Sequence, residues 1–264
     1  MPDNIYWHEP LMRSDGAVPS ILAIGDSWFW YPLPGGSLAS ALARLVAPRQ
    51  HTILAFGNNG AEAFDYVDGV YAPLIANALE RYGTGCSAVF VSGGGNDFAG
   101  FTDLRPLLGL DCSTCITAPD CFNHGTGEGS VEGLFERVKQ AHIQLIDLVA
   151  AHVPAAARIY LHNYDYCVPT GKAVIGSKAW LKPALMAAGV PAPLRAACVR
   201  YLIDEFSRHL VELEVRYGGR VIFVDSRGTL DDADWANELH PKATGFGKIA
   251  RRCWKPRLAA GGLI

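Results

Sequence analysis

Ser20-Ile21-Leu22-Ala23-Ile24-Gly25-Asp26-Ser27-Trp28 runs four consecutive apolar residues into Gly-Asp-Ser. A short apolar run that stops at a turn signature has the pattern of a strand buried on both faces. Such a strand delivers the residue behind it, here Ser27, to the carboxyl edge of a sheet. In open α/β sheets that edge is where ligands bind, so the stretch speaks of chemistry as well as packing.

The same pattern recurs along the chain. Apolar runs predict strands over 21–25, 52–56, 88–92, 158–162 and 221–225. Between them, helical periodicity predicts helices over 36–46, 70–82, 131–152, 194–217 and 244–253. Strands alternating with helices imply right-handed crossovers and a three-layer α/β/α sandwich around a parallel sheet. Two stretches, 98–130 and 164–193, are punctuated by Gly and Pro and carry no clear period. Both follow predicted strands at the carboxyl edge, so they are expected to be lid or pocket-wall insertions in one domain spanning 1–264.

Composition narrows the function. Of 264 residues, 50% are hydrophobic and 19% charged, ample for a large core. A formal net charge of -3 gives no electrostatic footprint for nucleic acid. The amino terminus has neither a basic nor an apolar leader segment, and no apolar stretch is long enough to span a bilayer. The expectation is a soluble, cytoplasmic protein acting on a small molecule.

Ser27 alone has a bland reading, a turn former or helix cap. The strand before it and the Pro- and Gly-rich turn behind it (Pro32, Pro34, Gly35, Gly36) favour a nucleophile at a sheet edge. A serine hydroxyl needs a base to take its proton, and His240, in a loop ahead of the last helix and stiffened by Pro241, is the candidate. An oxyanion needs preorganised donors. Gly60, in Asn58-Asn59-Gly60, offers an unobstructed N–H. Asn96, in Gly94-Gly95-Asn96-Asp97, offers a side-chain amide, and the Ser27 N–H is a third donor. Asp26 and Asp97 are expected to brace these turns.

Taken together, these blocks resemble those of the SGNH (GDSL-like) hydrolase superfamily: Gly25-Asp26-Ser27, Asn58-Asn59-Gly60, Gly94-Gly95-Asn96-Asp97 and His240-Pro241, in family order. The resemblance implies a flavodoxin-like five-stranded sheet of order 2-1-3-4-5. It also implies ester hydrolysis through an acyl-serine intermediate, with no cofactor and no catalytic metal. One position departs from the pattern. Three residues before His240, where the family usually has an aspartate that orients the histidine, this chain has Asn237. An asparagine carbonyl can hold an imidazole but lends it no full charge. Asn237 and Asp234 are the favoured orienters, with Asp232, Glu238 or a backbone carbonyl in a Ser-His dyad as alternatives. The departure also leaves open a non-catalytic ligand-binding protein on the same fold, and acyl transfer remains an alternative to hydrolysis.

Seven cysteines complete the inventory. Cys86, Cys167, Cys198 and Cys253 are expected to be isolated reduced thiols. Cys112, Cys115, Cys121 and His124 form C-x2-C-x5-C-x2-H in the first insertion and allow free thiols, a disulfide clip or a structural zinc. The aromatic run Trp28, Phe29, Trp30 and Tyr31 reads either as core or as an apolar substrate wall. Trp180, Leu181, Leu185 and Met186 supply candidate lid residues. Both lean towards small or medium apolar esters.

Overall fold

The computed structural model describes residues 4–30, 36–173 and 179–264. Chain order begins with β1 (Ile5–Tyr6), α1 (Glu9–Ser14), β2 (Ile21–Gly25), α2 (Ser27–Trp30), α3 (Leu38–Val46), β3 (Ile53–Phe56) and α4 (Ala72–Tyr82). It continues with β4 (Ala88–Ser92), α5 (Asn96–Ala99), α6 (Phe101–Leu104), α7 (Val131–His152) and β5 (Arg158–His162). The last elements are α8 (Leu181–Ala187), α9 (Arg195–Tyr217), β6 (Val221–Val224), α10 (Ala243–Ile249) and α11 (Lys255–Ala260).

All strand pairs are parallel, in the order β1-β3-β2-β4-β5-β6. Leaving aside β1, this is the expected 2-1-3-4-5 arrangement. Registers Ile24↔Phe56, Ile24↔Val91 and Gly25↔Ser92 bring the carboxyl ends of β2, β3 and β4 level, forming one rim. Strands β2, β3 and β4 are buried at every residue, as the aliphatic runs required. Helices α3 and α10 pack together on one face, and α4, α7 and α9 on the other.

The sheet has six strands instead of the expected five. The addition, β1, is two residues long and pairs Ile5 with Ile53. It is held at the edge by Asn4, whose Nδ2 donates to the carbonyls of Ala43 and His51. Two residues cannot show a period, which is why the sequence pattern missed them. The last helix also extends beyond the expected 244–253. From α10 the chain passes through a wide π turn, Ala250–Trp254, into α11, where Pro256 occupies the first turn. Proline has no N–H to continue the ladder, and a widened turn absorbs that loss. The turn seats buried Trp254 against Phe90 and Tyr160 at ring distances of 5.1 and 6.1 Å.

The stretch 98–130 holds only short helical pieces and one antiparallel bridge, Leu108↔Phe122. Its α6 packs on α8 of the stretch 164–193, and the Cys112 N–H donates to the Ala188 carbonyl at 2.7 Å. The two aperiodic stretches therefore meet over one side of the rim. Among the described residues no helix is long and apolar enough to cross a membrane.

Candidate active site

Ser27 opens α2 directly behind β2. The reversal is tight: a Cβ at Gly25 would lie 2.8 Å from the Ser92 carbonyl oxygen and 2.6 Å from the Phe29 ring, so only glycine fits. Asp26 fixes the turn. Its N–H donates to Ser92, and its Oδ1 accepts the Trp28 N–H at 2.9 Å. Its Oδ2 accepts the Tyr164 hydroxyl at 2.5 Å, and that hydroxyl in turn accepts the Gly95 N–H. Burial pushes the Asp26 carboxyl up to about 7 against these stabilising bonds. Asp97 is likewise pushed up to about 7 by burial and accepts the Ala63 N–H. Both aspartates brace turns, as the sequence suggested. Tyr31, Pro32, Pro34 and Gly35 lie outside the described residues.

His240 arrives from the far end of the chain. Its Nε2 lies 2.8 Å from Ser27 Oγ. The loop that carries it is closed by the bridge Trp235↔Pro241 and by the Ala236 N–H on the His240 carbonyl. From below, the Trp28 indole donates to the Leu239 carbonyl at 3.0 Å.

Asn237 Oδ1 sits 3.0 Å from the other ring nitrogen, Nδ1. The same oxygen accepts the N–H groups of Leu239 and His240, each at 2.9 Å. Two backbone donors fix which end of the amide faces the imidazole, because an NH2 there would oppose them. An acceptor at Nδ1 requires the hydrogen on Nδ1 and leaves the Nε2 lone pair towards Ser27. Asparagine therefore sets the tautomer a general base needs. Burial lowers the His240 pKa to about 4, so the imidazole is neutral at physiological pH.

The rival orienters face elsewhere. Asp234 bonds Lys248 Nζ at 2.6 Å and the Asp231 N–H at 2.9 Å. Its place in a capping turn draws it off the histidine, so of the two favoured residues only Asn237 reaches the ring. Asp232 is exposed in that turn. Glu238 is fully buried on a different errand: its carboxylate accepts the N–H groups of Gly171, Trp180, Leu181 and Lys182. It thereby ties the start of α8 to the loop of His240 and sets Trp180 edge-on to the imidazole, 5.9 Å between ring centres. Sequence reading missed this clamp, because nothing in the sequence sets Glu238 apart from the other acids of its loop, Asp231, Asp232 and Asp234.

Asn96 Nδ2 donates to the Ala61 carbonyl at 2.9 Å, joining the third block to the second, and its other amide hydrogen is available to a ligand. Gly60 has φ +82°, and the space a Cβ would occupy is open. Ser27 and Asn96 both border a pocket of ≈ 30 Å³ whose apolar wall includes Phe98, Ala99, Leu181, Val199, Leu202 and Ile203.

Of the aromatic run, Trp28 reaches this pocket, whereas Phe29 packs in the core near Trp254 and Trp30 against Trp7. Of the lid candidates, Leu181 lines the pocket and Leu185 is buried, but Met186 is exposed. Of the four candidate zinc ligands, His124 is turned to Glu132 Oε1 at 2.7 Å and to the Pro119 carbonyl at 3.1 Å. Cys112, Cys115 and Cys121 have converged without it.

No family model matches the sequence, and no curated protein matches it. Solved structures do. The extracellular lipase of Streptomyces rimosus aligns with a TM-score of 0.56 at 18% identity, over 92% of this chain and 100% of that one. A carbohydrate acetylesterase from Sinorhizobium meliloti aligns with a TM-score of 0.54 at 14% identity, over 92% and 99%. An aryl esterase of M. smegmatis aligns with a TM-score of 0.52 at 13% identity, over 92% and 99%. This chain has the fold of the SGNH (GDSL-like) hydrolases that it resembles in sequence.

Proposed function

We propose that this protein is a serine hydrolase that cleaves esters of short acyl groups through an acyl-serine intermediate. The observation that carries the reading is the line Asn237 Oδ1–His240–Ser27 Oγ, with contacts of 3.0 and 2.8 Å. His240 Nε2 takes the Ser27 proton as Oγ attacks the ester carbonyl, then returns it to the leaving alcohol. Water repeats the sequence on the acyl-enzyme. The Ser27 N–H, the Gly60 N–H and Asn96 Nδ2 are the proposed oxyanion donors; removal of one such donor typically costs about 100- to 1,000-fold in turnover.

Pocket size points to the acyl group. A volume of ≈ 30 Å³ is only a few times the roughly 10–15 Å³ that a single water needs. Its apolar wall suits a methyl or ethyl group better than a fatty chain. Among the similar structures the carbohydrate acetylesterase is in keeping with a short acyl group, whereas the extracellular lipase is not, so the pocket carries this part of the reading.

A series of p-nitrophenyl esters, from acetate to decanoate, tests this reading with wild type and Asn96→Ala. Acetate or propionate should turn over fastest, with a loss of at least about 10-fold by octanoate, and Asn96→Ala should lower kcat by about 100-fold. A maximum at long chains would reject the pocket assignment. An inert but folded protein would favour the ligand-binding alternative.

A further inference from the structure

Cys198, expected from the sequence to be an isolated core thiol, lies on α9, far along the chain from the C-x2-C-x5-C run. The fold brings it to that run. Its Sγ lies 4.0 Å from the carbonyl of Ala118, three residues before Cys121, and α9 packs against the turn Pro119–Cys121. The Sγ atoms of Cys112, Cys115 and Cys121 lie within 4.8 Å of one another. The Cys115 N–H donates to the Cys112 carbonyl at 3.1 Å, closing the turn that aims this pair at a common point. Cys112, Cys121 and Cys198 are buried and Cys115 is half-buried.

We propose that Cys112, Cys115, Cys121 and Cys198 form a four-thiolate structural zinc site that fastens the 105–123 loop to α9. Tetrahedral Zn–S bonds of about 2.3 Å place sulfurs roughly 3.8 Å apart, so Cys112, Cys115 and Cys121 need close by no more than about 1 Å, and Cys198 Sγ, outside that group of three, must swing in to join them. Binding makes four Zn–S bonds and releases the four thiol protons to solvent, with no change of oxidation state. Four sulfurs close the coordination sphere, so the metal is structural and stands outside the ester chemistry. A disulfide would join one pair and leave the shared convergence of the others unused.

The loop also needs such a fastening. Between Leu108 and Phe122 it has one short helical turn, and its large apolar side chains Leu110 and Ile116 are 92% and 84% exposed. A segment with so little core of its own is the kind that metals or disulfides hold together. The residues after Cys198 on α9, Val199 and Leu202 among them, line the pocket beside Ser27. The proposed metal would thus steady the pocket wall.

The test uses full-length protein without a histidine tag, produced with added zinc and stripped of loosely held metal by a weak chelating resin. Elemental analysis should find about one zinc per chain in wild type and in His124→Ala, and less than about one-tenth of that in Cys198→Ser. If Cys198→Ser fails to fold, cobalt(II)-loaded wild type decides: its sulfur-to-cobalt and visible bands should match four thiolates, not three with an imidazole. Folded wild type without zinc would overturn the proposal. So would a mass lowered by the hydrogens of one or two disulfides, or zinc lost in His124→Ala and kept in Cys198→Ser.

Discussion

The rim formed by β2, β3 and β4 and the two aperiodic stretches above it are built on different principles. On the rim, position follows from backbone regularity. Parallel register ends the strands level, and Ser27, Asn96 and the Asn58-Asn59-Gly60 turn follow within a few residues of those ends. The overlying stretches are held at points, by a few buried polar groups. Glu238 gathers four N–H groups around α8, and Asp165 accepts those of Tyr166, Gly228, Thr229 and Leu230. Substitutions on the rim should therefore remove chemistry and spare the fold, whereas substitutions at the anchors should cost stability first.

Asn237 gives the largest test short of the nucleophile itself. Asn237→Ala should lower kcat by about 100-fold or more, because it frees the imidazole tautomer, and should lower the melting temperature by a few degrees as well, because the Leu239 and His240 N–H groups lose their acceptor. Asp234→Ala should stay within about threefold in kcat, since that carboxylate serves Lys248 and a turn. Equal losses in the two variants would erase the distinction between them.

The pH profile sharpens the same point. With His240 lowered to about 4 by burial, the acid limb of kcat/KM should fall near pH 4 in place of the usual histidine range. Asn237→Asp places a negative charge on the ring, favours the imidazolium and should move that limb up by at least about one pH unit. An acid limb near 6.5 in wild type, unmoved in the aspartate variant, would contradict the uncharged-orienter account.

At the anchors, Glu238→Gln turns an acceptor of four N–H groups into one that presents two hydrogens of its own to them. Such unsatisfied buried contacts cost about 1–3 kcal/mol each, so the melting temperature should drop by roughly 5 °C or more. KM for the ester should rise more than kcat falls, as Leu181 leaves the pocket wall. A fall in kcat alone would place Glu238 with the rim instead.

Asp26 gives the smallest effect, and its sign is definite. Its folded pKa of about 7 lies well above the ordinary aspartate value, so the native state holds a proton that the unfolded chain releases. The stability this contributes is complete below about pH 4 and is lost as pH rises through 7. Asp26→Asn cannot ionise, so relative to wild type its melting temperature should gain between pH 5 and pH 8. A difference flat across that range would remove the buried proton.

Legibility in the sequence follows the same division. Strands 21–25, 88–92 and 158–162 and helix 131–152 match the structure residue for residue, because burial on two faces or along one stripe writes a period into the sequence. The Ser27–His240 contact was legible through its motif blocks, and Asn237 through its spacing. What was illegible depends on single side chains. Whether Asn237 or Asp234 meets the ring turned on Lys248, fourteen residues beyond Asp234. The displacement of His124 turned on Glu132, and the fourth cysteine lay on a helix whose period explained Cys198 as core. Point contacts across the fold leave no period to read.

The central claim is that Ser27 is a nucleophile activated by His240. It is tested most directly by treating wild type, Ser27→Ala and His240→Ala with a fluorophosphonate and mapping the adduct by peptide mass spectrometry. The account predicts one adduct per chain, on the peptide containing Ser27, absent from Ser27→Ala and formed at least about 1,000-fold more slowly in His240→Ala. Labelling at another residue, or an unchanged rate in His240→Ala, would contradict it.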